Sequence, residues 1–404
     1  MSSTTQCHVI RLTPRGRGAI ATLFLAGRDA FAVLEPCLDF PHHSRPTAAQ
    51  PHFENNVPVF AYFQLANARE EVILDIRRRD MISLHCHGGD AVVNAIETAL
   101  VERGAVVRTW QDWLLETPES EFFPHHKPLD MIQREALQLL PYAETELTAQ
   151  LLLAQYHGAL SRRIGQMMRL LEGASSGTSS DSAVQEAAAI LDSLLHSYES
   201  GKHLTTPFRV GLIGPVNVGK SSLMNALLGF NRSITSQVAG TTRDAVSAKT
   251  VISGWPVMLI DTAGVRETPN PIEQEGILRM QTVMADSDLL LLVTDATLQQ
   301  TDPLPVIPGV PKNVPVIHVA NKIDLVNLQV SLHFQHHPEC VPVSAMTGVG
   351  INQLNDSIIC KLHKTDDFIQ DIAILSQTAL VFTERQYSYL ASVRDNGIKA
   401  GMER

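Results

Sequence analysis

The spacing of apolar positions changes three times along this chain. In roughly the first 115 residues, short apolar runs at 20–25, 57–63 and 81–84 predict strands, and residues 91–101 predict a helix. That mixture points to a small α+β domain. Between about 130 and 200 the apolar positions recur every three or four residues. Leu147, Leu151 and Ala154, then Leu160, Ile164, Met167 and Leu171, build one stripe, and Val184, Ala187, Leu191 and Leu195 form a second. Each stripe predicts an amphipathic helix. A Gly- and Ser-rich break at 173–181 predicts a loop between the two.

From 207 to about 363 the texture alternates between β-rich and helical segments. Strands are predicted at 209–213, 256–260, 289–294, 314–320 and 341–343. Alternation of this kind implies right-handed βαβ units and a mostly parallel sheet covered on both faces. The tail beyond 365 returns to a helical pattern, with a helix predicted over 374–393. The expected layout is therefore an α+β domain (1–118), a helical domain (119–206), an α/β domain (207–363) and a helical C-terminal part (364–404). If the tail packs on the earlier helices, the α/β domain is an insertion into a helical domain.

Composition narrows the function classes. The chain of 404 residues is 44% hydrophobic and 18% charged, a balance that favours folded domains over extended disorder. No run of 18 apolar residues occurs, and the first eight residues have neither a basic nor an apolar signal region, so neither a membrane span nor secretion is expected. Five scattered cysteines fit reduced thiols and a cytoplasmic location. A net charge of -10 argues against a broadly basic surface for nucleic acid.

The chemistry starts at Gly214-Pro-Val-Asn-Val-Gly-Lys-Ser221, which matches G-x-x-x-x-G-K-[ST] between a predicted strand and a helix-like segment. Glycines there let successive backbone N–H groups face phosphates at the positive end of a helix dipole. Gly214, Asn217, Val218, Gly219, Lys220, Ser221 and Ser222 are the expected phosphate-binding residues. Lys220 would reach the β- and γ-phosphates and the Ser221 hydroxyl would bind Mg²⁺.

Four further elements follow in order. Gly240-Thr-Thr-Arg-Asp244 places Thr241 and Thr242 in a loop, with Thr242 the expected switch residue on Mg²⁺. Asp261-Thr-Ala-Gly264 ends an apolar run; Asp261 would hold Mg²⁺ through water and the Gly264 N–H would sense the γ-phosphate. Asn321-Lys322-Ile-Asp324 ends another, and the Asp324 carboxylate can accept the N1 and N2 hydrogens of guanine, which adenine lacks. Ser344 and Ala345 would offer a backbone N–H to guanine O6. Any one of these is an ordinary turn or helix cap when taken alone. Their order predicts a P-loop GTPase domain with bound GTP or GDP.

Ras-like enzymes orient the attacking water with a glutamine just after the Asp-Thr-Ala-Gly motif, and here that position is Val265. Its side chain makes no hydrogen bond, so the water must be positioned from elsewhere. Asn217 offers a side-chain oxygen for a monovalent cation beside the phosphates, and K⁺ there would supply charge of the kind an arginine finger supplies.

These motifs, together with Asp261-Thr-Ala-Gly-Val-Arg-Glu267, resemble the MnmE (TrmE) family of tRNA modification GTPases. Outside the GTPase segment, Thr13-Pro-Arg-Gly-Arg-Gly18, His87-Gly-Gly89 and Gly158-Ala-Leu-Ser161 are similar to family signatures. The resemblance implies K⁺-stimulated GTP hydrolysis coupled to C5 modification of the tRNA wobble uridine, with the flavoprotein MnmG as partner. It also implies a homodimer through the N-terminal domain, which would bind a one-carbon tetrahydrofolate. It assigns catalysis to Glu273, in switch II three residues before Gly276, with Lys220 and Thr242. Ser236, Val238 and Thr241 join Asn217 in the K⁺ shell; the family usually has threonine where Ser236 stands.

Three departures from the family accompany this. The family's Cys-Ile-Gly-Lys tail is replaced by Gly401-Met-Glu-Arg404, and only about forty residues follow the GTPase segment. Where the family has Arg-Pro-Gly-Glu-Phe, the chain reads Val107-Arg-Thr-Trp-Gln-Asp-Trp113, a departure that implies weakened or absent folate binding. The alternative to a tRNA-modifying enzyme is a regulatory GTPase switch without modification chemistry. His85-Cys-His87 reads as strand residues on alternating faces rather than a metal site.

Overall fold

The computed structural model describes residues 6–16, 18–28, 30–41, 58–66, 68–116, 129–175, 181–230, 246–261, 281–298, 309–327, 340–363 and 378–395. The chain divides into two compact units, Met1–Leu129 and Asp130–Arg404.

The first unit is built on a seven-stranded sheet. Its strands are β1 (His8–Arg11), β2 (Ile20–Ala26), β3 (Leu38–Asp39), β4 (Val59–Leu65), β5 (Ala68–Arg78), β6 (Met81–His87) and β7 (Val106–Thr109), in the order β3-β4-β5-β6-β2-β1-β7. Neighbours are antiparallel except β1 and β7. Helices α1 (Ala30–Leu34), α2 (Asp90–Val101) and α3 (Trp110–Glu116) complete it. Val93, Ile96 and Leu100 of α2 recur at helical spacing and enter one core with Leu23, Leu25, Leu74 and Leu84. Strand β5 was not expected, because Glu70, Glu71, Asp75 and Arg77 make its sequence look solvated. Its buried residues, Val72, Leu74 and Ile76, alternate with those charges.

The two N-terminal signatures meet in space. Gly18 N–H donates to Gly88 O at 2.9 Å, and a Cβ on Gly88 would lie 2.4 Å from Gly18 O. Arg11 Nη1 donates to Asp90 Oδ1 at 2.8 Å, and the Gly16 N–H donates to the same carboxylate at 3.1 Å. These bonds hold the carboxyl of Asp90 below its ordinary range, the Gly16 amide first and Arg11 second. His85 Nδ1 pairs with Thr22 Oγ1 at 2.9 Å and His87 Nδ1 with Glu70 Oε1 at 2.6 Å.

The second unit opens with four helices, α4 (Met131–Leu139), α5 (Glu146–Tyr156), α6 (Ala159–Ser175) and α7 (Asp181–Gly201). Asp130 and Thr145 start α4 and α5 with capping boxes, so orphan N–H groups at both N-termini are satisfied by side chains. The six strands β8 (Phe208–Ile213), β9 (Val246–Ile252), β10 (Trp255–Asp261), β11 (Leu289–Asp295), β12 (Val316–Asn321) and β13 (Cys340–Pro342) follow, in the order β13-β12-β11-β8-β10-β9. All pair in parallel except the edge pair β10 and β9. Every residue of β11 is buried, as expected for a central strand covered on both faces. Helices α8 (Lys220–Phe230) and α9 (Ile351–His363) pack on this sheet, and α10 (Glu384–Val393) ends the described chain.

Of the helix expected over 374–393, residues 384–393 form α10, residues 378–383 are not helical, and residues 374–377 lie outside the described residues. Thr383 caps α10 by accepting the Gln386 N–H, and the described residues before it are not helical. Their backbone is instead held by the earlier helices. Buried Gln155 of α5 donates to Thr378 O at 2.8 Å and accepts from the Leu380 N–H, and Ser197 of α7 accepts from the Val381 N–H at 3.0 Å. Glu135 of α4 then takes two hydrogen bonds from Arg385 and one from Gln386. A helix through 378–382 would forfeit those partners for buried backbone groups.

Candidate functional site

Parallel strands deliver their carboxyl ends to one edge of the sheet, where ligand sites of α/β folds form. The ends of β8, β10, β11, β12 and β13 bring there the loop from Gly214, then Asp261, Asp295, Asn321 and Ser344. Cross-strand pairing sets their depth: Asp261 stands beside Leu212, and Asp295 beside Asn321.

The loop from Gly214 to Ser221 turns through three left-handed residues, Gly214 (φ 144°), Asn217 (φ 63°) and Gly219 (φ 92°). Glycine is required at two of them. A Cβ on Gly214 would sit 2.2 Å from Val293 O, and one on Gly219 would sit 2.4 Å from Asn321 Nδ2. The Lys220 ammonium reaches back across the loop to the carbonyls of Gly214 and Pro215, at 2.9 and 2.8 Å. Lys220 begins α8, so the loop curls over the positive end of that helix. Ser221 Oγ donates to Asp261 Oδ2 at 2.6 Å, and Asp261 is buried. Ser222 is exposed in the first turn of α8.

Asn321 joins three loops. Its Nδ2 donates to Val218 O at 2.9 Å and its Oδ1 accepts the Ala345 N–H at 3.1 Å. Lys322, itself left-handed at φ 64°, donates to Asn217 O at 2.9 Å and to Asp295 Oδ2 at 2.6 Å. Asp324 follows in a 3₁₀ turn, Ile323–Leu325, and is exposed at the rim. Ser344 is fully buried; its Oγ and O accept the N–H groups of Thr347 and Gly348 and shape the loop that carries Ala345.

Of the residues expected from sequence, Gly214, Asn217, Val218, Gly219, Lys220, Ser221, Asp261, Asn321, Lys322, Asp324, Ser344 and Ala345 therefore share one edge. Ser236, Val238, Thr241, Thr242, Gly264, Val265 and Glu273 lie outside the described residues. Asp295 and Thr297 were missed. Thr297 donates to Asp295 Oδ1 from its N–H at 3.0 Å and its Oγ1 at 2.7 Å. Burial pushes the Asp295 carboxyl up, and the bonds from Lys322 and Thr297 outweigh it, leaving the group below its ordinary range. The available signal was positional: Asp295 follows an apolar strand run as Asp261 and Asn321 do.

Such an edge can seat a polyphosphate in a loop of N–H groups, a hard cation between hydroxyl and carboxylate oxygens, and a base against an exposed carboxylate. The chain is similar in sequence to several known proteins. A family model described as a 50S ribosome-binding GTPase matches residues 209–322. A protein named tRNA modification GTPase MnmE from Synechococcus sp. is 32% identical over 70% of this chain and 63% of its own length. Its namesake from Syntrophotalea carbinolica is 32% identical over 63% of this chain and 58% of its own. The match thus spans less than two thirds of the length of these two curated relatives. The Aquifex aeolicus protein of the same name is 29% identical over 87% of this chain and 80% of its own length. A crystal structure of an Aquifex aeolicus Era variant bound to GDP·AlF4⁻ is 30% identical, covering 40% of this chain and 60% of its own, with a TM-score of 0.29. Likeness to curated proteins named tRNA modification GTPase MnmE thus runs through the GTPase segment and, in matches over 92–94% of this chain at 28–29% identity, into both flanks.

Proposed function

We propose that the chain binds GTP and hydrolyses it to GDP and phosphate, with K⁺ stimulation, in the C5 modification of tRNA wobble uridines. The observation that carries the reading is the bonded network that links the phosphate loop to the Asn321–Asp324 turn through Asn321 and Lys322. One rigid edge can therefore hold the phosphates and read the base together.

Lys220 is aimed across the loop and would exchange its two carbonyl partners for phosphate oxygens. Ser221 and Asp261 already converge at 2.6 Å and form an oxygen donor pair that fits Mg²⁺. A Mg²⁺ held by these two residues would supply positive charge against the β- and γ-phosphates. Asp324 would accept two guanine hydrogens. Asn217 would supply one K⁺ ligand, with Ser236, Val238 and Thr241 the others. Glu273 would orient the attacking water, because Val265 has no group to do so.

The layout proposed with this function is a GTPase domain inserted into a helical domain and preceded by the α+β domain. The bonds from Gln155, Ser197 and Glu135 to residues 378–386 support it, since the chain returns to α4, α5 and α7 after the sheet. The proposed location is cytoplasmic, and among the described residues no helix is long and apolar enough to cross a membrane. The proposed partners are tRNA, MnmG and a second copy through residues 1–118.

A second reading is a regulatory GTPase without modification chemistry. It is favoured by the stretch 107–113, which forms β7 and part of α3 and sets Trp113 edge-on to Phe24 at 5.4 Å. One-carbon tetrahydrofolate binding is accordingly expected to be weak, and calorimetry with 5-formyltetrahydrofolate measures it. Mass spectrometry of wobble uridines from a deletion strain separates the two readings: unchanged modification leaves only the regulatory one. Hydrolysis assays in K⁺ and Na⁺ at equal ionic strength, with the Asn217→Ala and Glu273→Ala variants, test the mechanism. A Glu273→Ala enzyme with unaltered kcat would remove that residue from it.

A further inference from the structure

Asp295 terminates β11 with its carboxylate fully engaged. One oxygen takes two hydrogen bonds from Thr297 and the other takes the Lys322 ammonium at 2.6 Å. The strand does not need this carboxylate to end where it does. Backbone pairing with β12 runs to Asn321, and the Ala296 N–H donates to Asn321 O. The Asp295 side chain is only 8% exposed, so its charge has a desolvation cost that a solvated residue at a strand end would avoid.

The Lys322 ammonium has a second bond, to the carbonyl of Asn217 in the phosphate loop. Asn217 and Lys322 are two of the three non-glycine residues with positive φ among those described. Conformations of this kind cost free energy and persist where the surroundings hold them. One ammonium ties the two residues together, and Asp295 is the counter-charge that keeps it there. Lys322 is 32% exposed, so without Asp295 its head group has an open route to water. The turn that carries Asp324, two residues further on, would then lose this tether to the phosphate loop.

Resting on the guanine-nucleotide reading above, we propose that Asp295 is a positioning residue for guanine-nucleotide binding. It acts through Lys322 to keep the base-reading turn docked on the phosphate loop. Thr297 orients the Asp295 carboxylate, so that its second oxygen faces the ammonium.

The test is a double-mutant cycle on the full chain, read by titration with fluorescent GDP and ADP. Asp295→Asn keeps the size and removes the charge. It is expected to weaken GDP binding about tenfold, the scale of one lost charge-assisted hydrogen bond, and to narrow the GDP-to-ADP ratio. In a Lys322→Ala background the same change is expected to cost less than about twofold, because the partner is already gone. Thr297→Val, a milder change at a half-buried position, is expected to cost about threefold alone and almost nothing with Lys322→Ala. It answers the question if Asp295→Asn does not fold. A purely structural role would lower thermal stability and leave the two losses independent. Losses that multiply, or GDP affinity unchanged in Asp295→Asn, overturn the proposal. Failure of the wild-type chain to bind GDP overturns the nucleotide reading itself.

Discussion

Ser221 Oγ donates to Asp261 Oδ2 at 2.6 Å, which ties the first turn of α8 to the carboxyl end of β10. A hydroxyl and a carboxylate held this close are oxygen donors placed in advance for a hard cation. Ser221→Ala should therefore raise the Mg²⁺ concentration needed for half-maximal GTP binding, by about 10- to 100-fold. Magnesium titrations at fixed GTP check this, and a curve matching the wild type would take Ser221 out of the metal site.

Base selectivity should reside in Asp324. Its exposed carboxylate stands on a turn fixed by Asn321 and Lys322, and guanine carries two hydrogens that such a carboxylate can accept. Asp324→Asn should weaken GDP binding by about a hundredfold, as paired donors lose a charged acceptor. The amide should at the same time accept xanthine, so XDP affinity should rise. Competition between GDP and XDP in the two proteins measures both changes.

The turn between β9 and β10 packs on the helical part of the second unit. Gly254 has φ 86°, and a Cβ there would lie 2.8 Å from Leu147 Cδ2 of α5. Gly254→Ala should destabilise the chain by about 1–2 kcal/mol through the left-handed backbone alone, with overlap against Leu147 in addition. Adding Leu147→Ala should relieve the overlap and not the backbone cost. Urea unfolding of the three variants separates the two contributions.

Acid sensitivity should come in part from His363. It lies against Trp255 and Phe208, with its Nδ1 2.6 Å from Ser200 Oγ. Burial first, and nearby His203 second, lower its pKa to about 4. The folded state thus keeps His363 neutral, whereas the unfolded chain takes up a proton near pH 6.5. The stability this residue contributes is complete above about pH 6.5 and is lost as the pH falls from there towards about 4, by up to about 3 kcal/mol. Unfolding free energies at about pH 7 and about pH 4.5, compared between the wild type and His363→Gln, isolate the effect. Equal pH dependence in both would show that His363 is not its source.

Much of the site was legible because its residues follow apolar runs at strand ends. Gly214, Asp261 and Asn321 each come directly after such a run, and the spacing of Gly214, Gly219, Lys220 and Ser221 encodes a turn and a helix start. The apolar periodicity likewise marked the central strands and the helices α5 to α7. Strands β5 and β9 were hidden because their inward residues alternate with charged or polar ones over a short span, and periodicity alone does not tell such a stretch from solvated surface. The segment expected as a helix over 374–393 is non-helical at 378–383 for another reason. Local spacing cannot report that buried Gln155 and half-buried Ser197, some 180 to 225 positions earlier, hold that backbone in a non-helical path. Asp295 belongs with these. Its sequence neighbourhood shows a strand end, and only the parallel pairing of β11 with β12 brings its carboxylate to Lys322, 27 residues away. Local pattern determined which segments form elements and which strand ends offer residues suited to phosphate and base chemistry. Tertiary structure decided which charges face one another, because ion pairing depends on distances that the sheet register creates.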